Sequence, residues 1–392
     1  MEEEIFSNLV ISSERAIENA KAYRFHRYLF ETVDKASNKF YNGVYGLRGV
    51  GKTVLLLQLA GKRKKSIYIP ADAKYLLQES LYDIVNHVLA RGYENVFIDE
   101  IHARKDWTID LKTLFDEGKG NIFFSGSSSM ELRKGADLSR RARMHELKPA
   151  SFREYLNIKK GAVLEKIKLE ELYDKEKRKD LTIKHRKWME FLQEYYRYGG
   201  VLYEGIEDEY PKSISNSLEK IIAVDLTHLR ELDVKVENDI YKLLYKIAAS
   251  GPYEGSYTKL ATYLEISKAT VIKLLLDLEK VGLLKQIFPY GKGFKKEPKI
   301  YIRIPFRYAL NEMSGKKTDI GIVREEFFAN NVDVEGYFKT ERGEKTPDFM
   351  VGRKTIEVGG VSKKINTADY IAVDGAIFSE NRIPLFLFGF LY

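Results

Sequence analysis

Gly46-Leu47-Arg48-Gly49-Val50-Gly51-Lys52-Thr53 is the run of this sequence with the most chemical content, and it fits the phosphate-binding pattern G-x-x-x-x-G-K-[ST] at every position. The glycines let the backbone turn tightly, so that several N–H groups face one concavity that suits an anion. A helix opening near Lys52 adds the positive end of its dipole. Lys52 then brings a charge to the β- and γ-phosphates of a nucleotide, and the Thr53 hydroxyl is a ligand for Mg²⁺. The candidate nucleotide-binding residues are Gly46, Leu47, Arg48, Gly49, Val50, Gly51, Lys52, Thr53 and Val54. The bland alternative is a chance glycine-rich turn. The strand pattern before the run and a second motif after it speak against that.

The second motif is Asn95-Val96-Phe97-Ile98-Asp99-Glu100. Three apolar residues make a buried strand that ends in two carboxylates. At the carboxyl end of a parallel strand Asp99 holds Mg²⁺ through its waters, and Glu100 orients and polarises an attacking water. A surface charge at a strand end is the plainer account of Glu100. A further strand ends in Phe124-Ser125-Gly126-Ser127-Ser128-Ser129, where Ser125 is either a sensor of the γ-phosphate or part of an ordinary Ser/Gly loop. Arg140, Arg141 and Arg143 follow. An arginine reaching a neighbouring subunit's γ-phosphate would stabilise the charge in transfer, whereas the bland reading is a solvated basic turn.

These residues need a scaffold, and the surrounding pattern supplies one. Residues 1–40 read as helical and charged, with the cluster Tyr23 to Phe30. Strands are expected at Phe40 to Tyr45, Ser66 to Ile69, Val96 to Ile98 and Asn121 to Phe124, with helical periodicity between them. Such alternation implies an α/β fold, a parallel sheet wrapped on both faces. Lys159 to Lys187 is highly charged and reads as a solvated lid or connector helix, and the region ends at the pair Gly199-Gly200. Tyr257 to Leu264 and Ser267 to Val281 form a helix-turn-helix pattern, with Ser267 as N-cap of the second helix. Leu260, Ala261, Leu264, Val271, Leu274, Leu275 and Leu278 recur at core spacing. Lys268, Thr270 and Lys273 fall on the other face. A β-hairpin wing follows, with its tip at Gly291-Lys292-Gly293 and with Lys292, Lys295 and Lys296 for phosphate contacts.

Composition narrows the field. The chain has 392 residues, 44% of them hydrophobic and 31% charged, enough for several cored domains and against a disordered chain. The absence of cysteine excludes disulfides and thiolate metal sites, and six histidines make a zinc enzyme a poor fit. The acidic start is followed by no apolar stretch of signal-peptide type, and no run is long enough to span a bilayer, so a cytoplasmic protein without a membrane partner is expected. The net charge of +8 permits nucleic-acid binding without requiring it. Without an N/T-K-x-D guanine signature, ATP is the expected nucleotide.

The run from the P-loop through Ser125-Gly126-Ser127-Ser128 to Leu147-Lys148-Pro149-Ala150-Ser151-Phe152-Arg153-Glu154-Tyr155-Leu156 resembles the prokaryotic, archaeal-type AAA+ P-loop ATPases that carry a winged helix and a C-terminal restriction-nuclease-like domain. Ala150 stands where the family usually has Leu, and the Pro that follows the family's GG segment is absent after Gly199-Gly200. The resemblance implies a RecA-like core over 1–157, a helical lid or connector over 158–235, a winged helix over 236–312 and a small α+β nuclease-like domain over 313–392. It also implies that Ser125 holds the sensor position and that Arg141 and Arg143 fall where the family places its candidate arginine finger.

Restriction-type nucleases use carboxylates at adjacent strand ends to bind Mg²⁺, with a lysine in the pattern D-(x)n-E-x-K. Here Asp348 and Glu357 match the acids, and Glu325 is the matching acid on the preceding helix. Gly359 stands where the lysine belongs. Lys363 and Lys364 could replace it only by reaching back. A degenerate nuclease fold used for binding or assembly is therefore favoured over active cleavage. The expectation for the whole chain is Mg-dependent ATP binding and hydrolysis that drives a conformational switch, with double-stranded DNA, a second copy or another protein as the open choice of partner. The alternatives are an ATP-gated binding module with little turnover and an ATP-regulated metal-dependent nuclease.

Overall fold

The computed structural model describes residues 1–126, 138–202, 209–291, 296–339, 346–363, 367–376 and 379–392. The chain divides into two compact units. One comprises Met1–Pro149 with Val224–Arg230, the other Ala150–Ala223 with Glu231–Tyr392.

In the first unit five parallel strands, β1 (Tyr41–Tyr45), β2 (Ser66–Pro70), β3 (Asn95–Asp99), β4 (Asn121–Gly126) and β5 (Ala142–Glu146), lie in the order β2-β3-β4-β1-β5. Val96, Phe97, Ile98, Phe123 and Phe124 are fully buried. A continuous apolar run rather than an alternating one is what a strand needs when both sheet faces are covered. The covering helices include α1 (Glu3–Ala20), α3 (Lys52–Lys62), α4 (Leu81–Ala90) and α5 (Trp107–Asp116), with the short α2 (Phe30–Asp34) between α1 and β1. Ser80 caps α4 by accepting a hydrogen bond from the Asp83 N–H. This is a RecA-like α/β fold, as the strand and helix alternation implies. The order has one consequence for chemistry: β4 stands between β1 and β3, so the end of β4 lies between the loops that leave the other two.

The second unit contains a mixed sheet in the order β12-β11-β10-β9-β8, built from β8 (Gly336–Tyr337), β9 (Phe349–Val351), β10 (Lys354–Gly359), β11 (Tyr370–Val373) and β12 (Arg382–Pro384). It also contains the antiparallel pair β6 (Leu284–Ile287) and β7 (Lys299–Ile302). One apolar core joins its parts: Phe152, Leu164, Tyr195, Ile287, Tyr301, Phe327, Ile356 and Phe390 are buried in the same cluster. The boundaries expected at 157, 235 and 312 all fall inside this unit. The break after the first unit comes at Pro149, because Phe152, Tyr155 and Leu156 of the helix Phe152–Lys159 bury themselves in the second unit's core.

The charged stretch expected as one solvated helix is built differently. It holds the separate helices Leu169–Tyr173 and Lys175–His185, and Ala162, Leu164, Ile167 and Leu172 are core residues. Arg178 is buried, and its guanidinium donates to the carbonyls of Leu172, Ser379 and Glu380. Counting charges misled here because a buried arginine with carbonyl acceptors looks in sequence like any exposed one. The Gly199-Gly200 pair does end the helix Leu192–Tyr198. Gly199 is extended, and Gly200 pairs with Ala150. No helix among the described residues is long and apolar enough to cross a membrane.

Candidate functional site

The loop from Gly46 to Gly51 leaves β1 and opens α3. Gly51 caps α3 in the left-handed region, at φ 93°, a conformation that a side chain makes costly. At Gly46 a Cβ would stand 2.4 Å from the Leu147 carbonyl oxygen, so close backbone approach requires glycine there. Lys52 is 5% exposed, and its Nζ donates to the carbonyls of Gly46 and Leu47, each at 3.1 Å. The ammonium thus lies inside the turn of the loop. Burial pushes its pKa below the ordinary lysine value, while the carboxylates of Glu100, Asp225 and Asp99 pull it back up.

Asp99 ends β3. Its Oδ2 accepts from the Thr53 hydroxyl at 2.7 Å and from the Tyr68 hydroxyl at 2.8 Å, and Ser125 donates to Oδ1. Glu100 leaves the strand in a left-handed conformation, φ 48°, and its N–H points to Ser125 Oγ at 3.4 Å. The sheet order explains this meeting: Ile98 pairs with Phe124, which puts the next residue of β4, Ser125, beside Asp99. Burial raises the Glu100 carboxyl above its ordinary value, Lys52 opposes the shift and Asp99 adds to it. The His102 Nε2 lies 3.4 Å from Glu100 Oε2.

Lys52, Thr53, Asp99, Glu100 and Ser125 therefore share one site. Sequence reasoning missed several residues of its surroundings. Tyr68 holds Asp99, and no spacing rule marks it on β2. Arg27 is buried behind the loop and donates to the carbonyls of Val50 and, at 2.7 Å, Lys148. Asp225 pairs with Arg48 from a distant part of the chain. The Tyr/Arg cluster at Tyr23 to Phe30 was visible, but not its partners. The donor set fits Mg²⁺: a hydroxyl and a carboxylate held 2.7 Å apart are hard oxygen ligands beside the anion cradle.

The arginines lie elsewhere. Arg141 makes a two-pronged pair with Asp116, at 2.7 and 2.9 Å. The Arg143 guanidinium sits 4.6 Å from the centre of the Phe40 ring, and Arg140 is exposed. The parallel register pairs Ala142 with Tyr41, whereas the P-loop leaves the other end of β1 at Tyr45. Four residues of strand, about 13 Å, separate the two ends. These arginines thus stand at the end of the sheet away from their own P-loop.

In the second unit Glu325 lies on the helix Ile320–Asn331, paired with Lys299 at 2.6 Å and accepting from the Tyr301 hydroxyl at 2.9 Å. Asp348 accepts from the Val358 N–H at 2.7 Å, and Glu357 pairs with Lys363 at 2.9 Å. A Cβ on Gly359 would stand 2.8–3.0 Å from the Lys363 side chain, so Lys363 does reach back across the glycine to Glu357. Lys364 lies outside the described residues. Among the described residues no three or more His, Cys, Asp or Glu side chains are grouped to hold a metal ion.

Burial, then the nearby Glu325 charge, pushes the Asp348 carboxyl up to about 6. A carboxyl raised on folding stabilises the fold most below its unfolded value, and that contribution is lost as pH rises through about 6. Asp348→Asn is accordingly expected to raise the melting temperature at pH 8, by about half as much at pH 5, and to bring little change near pH 3. Thermal unfolding of both proteins across this range checks it.

In the helix-turn-helix region Ser267 accepts from the Thr270 N–H at 3.0 Å and caps Lys268–Lys280. All seven residues expected at core spacing are buried, and Lys268, Thr270 and Lys273 are exposed. Lys292 and Lys295, expected in a wing, lie outside the described residues, as do Ser127, Ser128 and Ser129.

Residues 38–156 match the family described as an AAA domain. The chain is similar to MJ1637 of Methanocaldococcus jannaschii, described as an uncharacterized protein, at 33% identity over 299 residues. That match covers 70% of this chain and 63% of the relative's length. Among solved structures, Aeropyrum pernix ORC1 in complex with DNA shares 14% identity at a TM-score of 0.31, over 76% of this chain and 92% of that one. AMPPCP-bound DnaA from Aquifex aeolicus shares 16% identity at a TM-score of 0.25, over 64% and 86%.

Proposed function

We propose that this protein binds Mg-ATP at Gly46 to Val54 and hydrolyses it, using the change of nucleotide state to drive a conformational switch. The observation that carries this reading is the meeting of Lys52, Thr53, Asp99, Ser125 and Glu100 around one glycine-rich turn. Thr53 and Asp99 would hold Mg²⁺, which supplies neutralisation of charge on the phosphate oxygens. Lys52 leaves the two loop carbonyls and neutralises the β- and γ-phosphates. Glu100, with its affinity for a proton raised by burial, orients water and accepts the proton as the water attacks the γ-phosphorus. Ser125 links Asp99 to the Glu100 backbone and so registers the γ-phosphate. Arg141 or Arg143 would act only on a neighbouring copy's nucleotide, given their place at the far end of β5.

Double-stranded DNA is the partner this reading favours. The net charge of +8 and the exposed Lys268, Thr270 and Lys273 on a capped second helix followed by an antiparallel pair support a winged helix that reads DNA through phosphate contacts. Phosphate release from Mg-ATP, measured with and without double-stranded DNA, tests this. Stimulation that weakens as salt rises is expected. Turnover indifferent to DNA at every salt concentration would remove the DNA arm and leave a protein partner.

A nuclease reading of the second unit has one observation in its favour, the return of Lys363 over Gly359 to Glu357. DNA cleavage lost in Asp348→Ala and kept in Lys52→Ala would support it. The neutralising pairs of Glu325 and Glu357 with lysines favour a binding or assembly role instead.

A further inference from the structure

Arg48, the third residue of the P-loop run, is tied to a part of the chain far from it in sequence. Its Nη2 lies 3.1 Å from Asp225 Oδ1 and its Nε 3.5 Å from Oδ2. The Asp225 side chain is 1% exposed and that of Arg48 32%. Asp225 opens the short turn Asp225–His228, and Leu226 beside it is buried. The stretch Val224–Arg230 belongs to the first unit, yet the helices on both sides of it, Tyr210–Ala223 and Val234–Ala249, belong to the second. Asp225 also lies within electrostatic reach of Lys52 and Glu100.

A buried carboxylate thus stands beside a loop built to receive a polyanion. Arg48 reconciles the two while it faces Asp225. A polyphosphate competes for the same guanidinium, whose planar donors suit phosphate oxygens as well as a carboxylate. Once Arg48 turns to phosphate, Asp225 loses a charged partner and gains a like-charged neighbour, which a buried group tolerates poorly. The repulsion grows with the charge bound, so it is greater for a triphosphate than for a diphosphate.

Resting on the ATP-binding reading, we propose that Asp225 is a specificity-determining residue of the nucleotide site and that Arg48 and Asp225 form a phosphate-operated latch. A bound triphosphate draws Arg48 from Asp225 and releases Val224–Arg230. A diphosphate leaves the latch closed. Because the released stretch is continuous with two helices of the second unit, the switch passes along the chain itself.

The test uses the full-length protein. Backbone hydrogen exchange in 224–230 is measured without nucleotide, with Mg-ADP and with a non-hydrolysable Mg-ATP analogue, and affinities are measured by calorimetry for wild type and Asp225→Asn. The analogue is expected to speed exchange in this stretch about 10-fold or more, and ADP is not. Asp225→Asn is expected to exchange rapidly without nucleotide and to bind the analogue about 10-fold more tightly, with a smaller gain for ADP. Normal analogue binding with unchanged or slower exchange in 224–230 overturns the latch and leaves ATP binding intact. Weaker analogue binding by Asp225→Asn also overturns it. If that variant does not fold, the wild-type exchange result decides alone. Failure of wild type to bind either nucleotide overturns the latch together with the reading on which it rests.

Discussion

Lys52→Ala is expected to fold normally and to bind ATP at least about 100-fold more weakly than wild type. The first half follows from the site without nucleotide. The Lys52 ammonium is buried, its burial disfavours the charged form, and its partners are two carbonyl groups of its own loop. Removing such a charge takes away a desolvation cost along with two hydrogen bonds, so the melting temperature changes little. The second half follows from charge. A lysine about 4 Å from phosphate oxygens in a site of intermediate polarity contributes about 4 kcal/mol, and partial solvation trims this to the 100-fold expected. Calorimetry with Mg-ATP and a thermal melt of the same protein check both halves. Retained affinity in a well-folded variant would remove the P-loop from the mechanism.

Glu100→Gln is expected to bind ATP nearly as wild type and to turn it over about 100- to 10,000-fold more slowly, the range of a lost general base. The amide keeps the shape of the side chain. It cannot take up a proton, and it no longer carries the charge that polarises water. The raised pKa of Glu100 adds a second readout. Wild-type turnover should fall on acidification through a value above the ordinary carboxylate range, because the base must be ionised to act. The residual activity of the variant should lack that limb. A pH profile of phosphate release by both proteins decides. Equal turnover, or an acid limb that survives the substitution, would assign the base elsewhere.

Much of the site was legible because P-loop chemistry is local. Eight consecutive residues, Gly46 to Thr53, carry the backbone turn, the helix start and two functional side chains, and no distant contact is needed to recognise them. The same holds for Asn95 to Glu100, where three apolar residues announce a buried strand and two acids mark its end. Ser267 was legible as a cap for the same reason, since its acceptor and donor lie three residues apart. The charged stretch Lys159 to Lys187 was misread, because the burial of Ala162, Leu164 and Leu172 and the carbonyls that receive Arg178 come from residues some 200 positions away as well as from near ones.

The sequence by itself therefore determined the residue set and its scaffold: a glycine-rich turn, a hydroxyl and a carboxylate, and the α/β alternation that sets them on strand ends. Local geometry and burial period suffice for that. Only the tertiary structure decided which groups face one another. It placed β4 between β1 and β3, so that Ser125 meets Asp99. It brought Tyr68 and Arg27 behind the site, set Arg141 and Arg143 at the opposite end of the sheet, carried Lys363 back over Gly359, and laid Asp225 against Arg48. Each of these depends on strand order or on a return of the chain. Contacts of that kind arise from how whole elements bury their apolar faces, and no short window of residues encodes them.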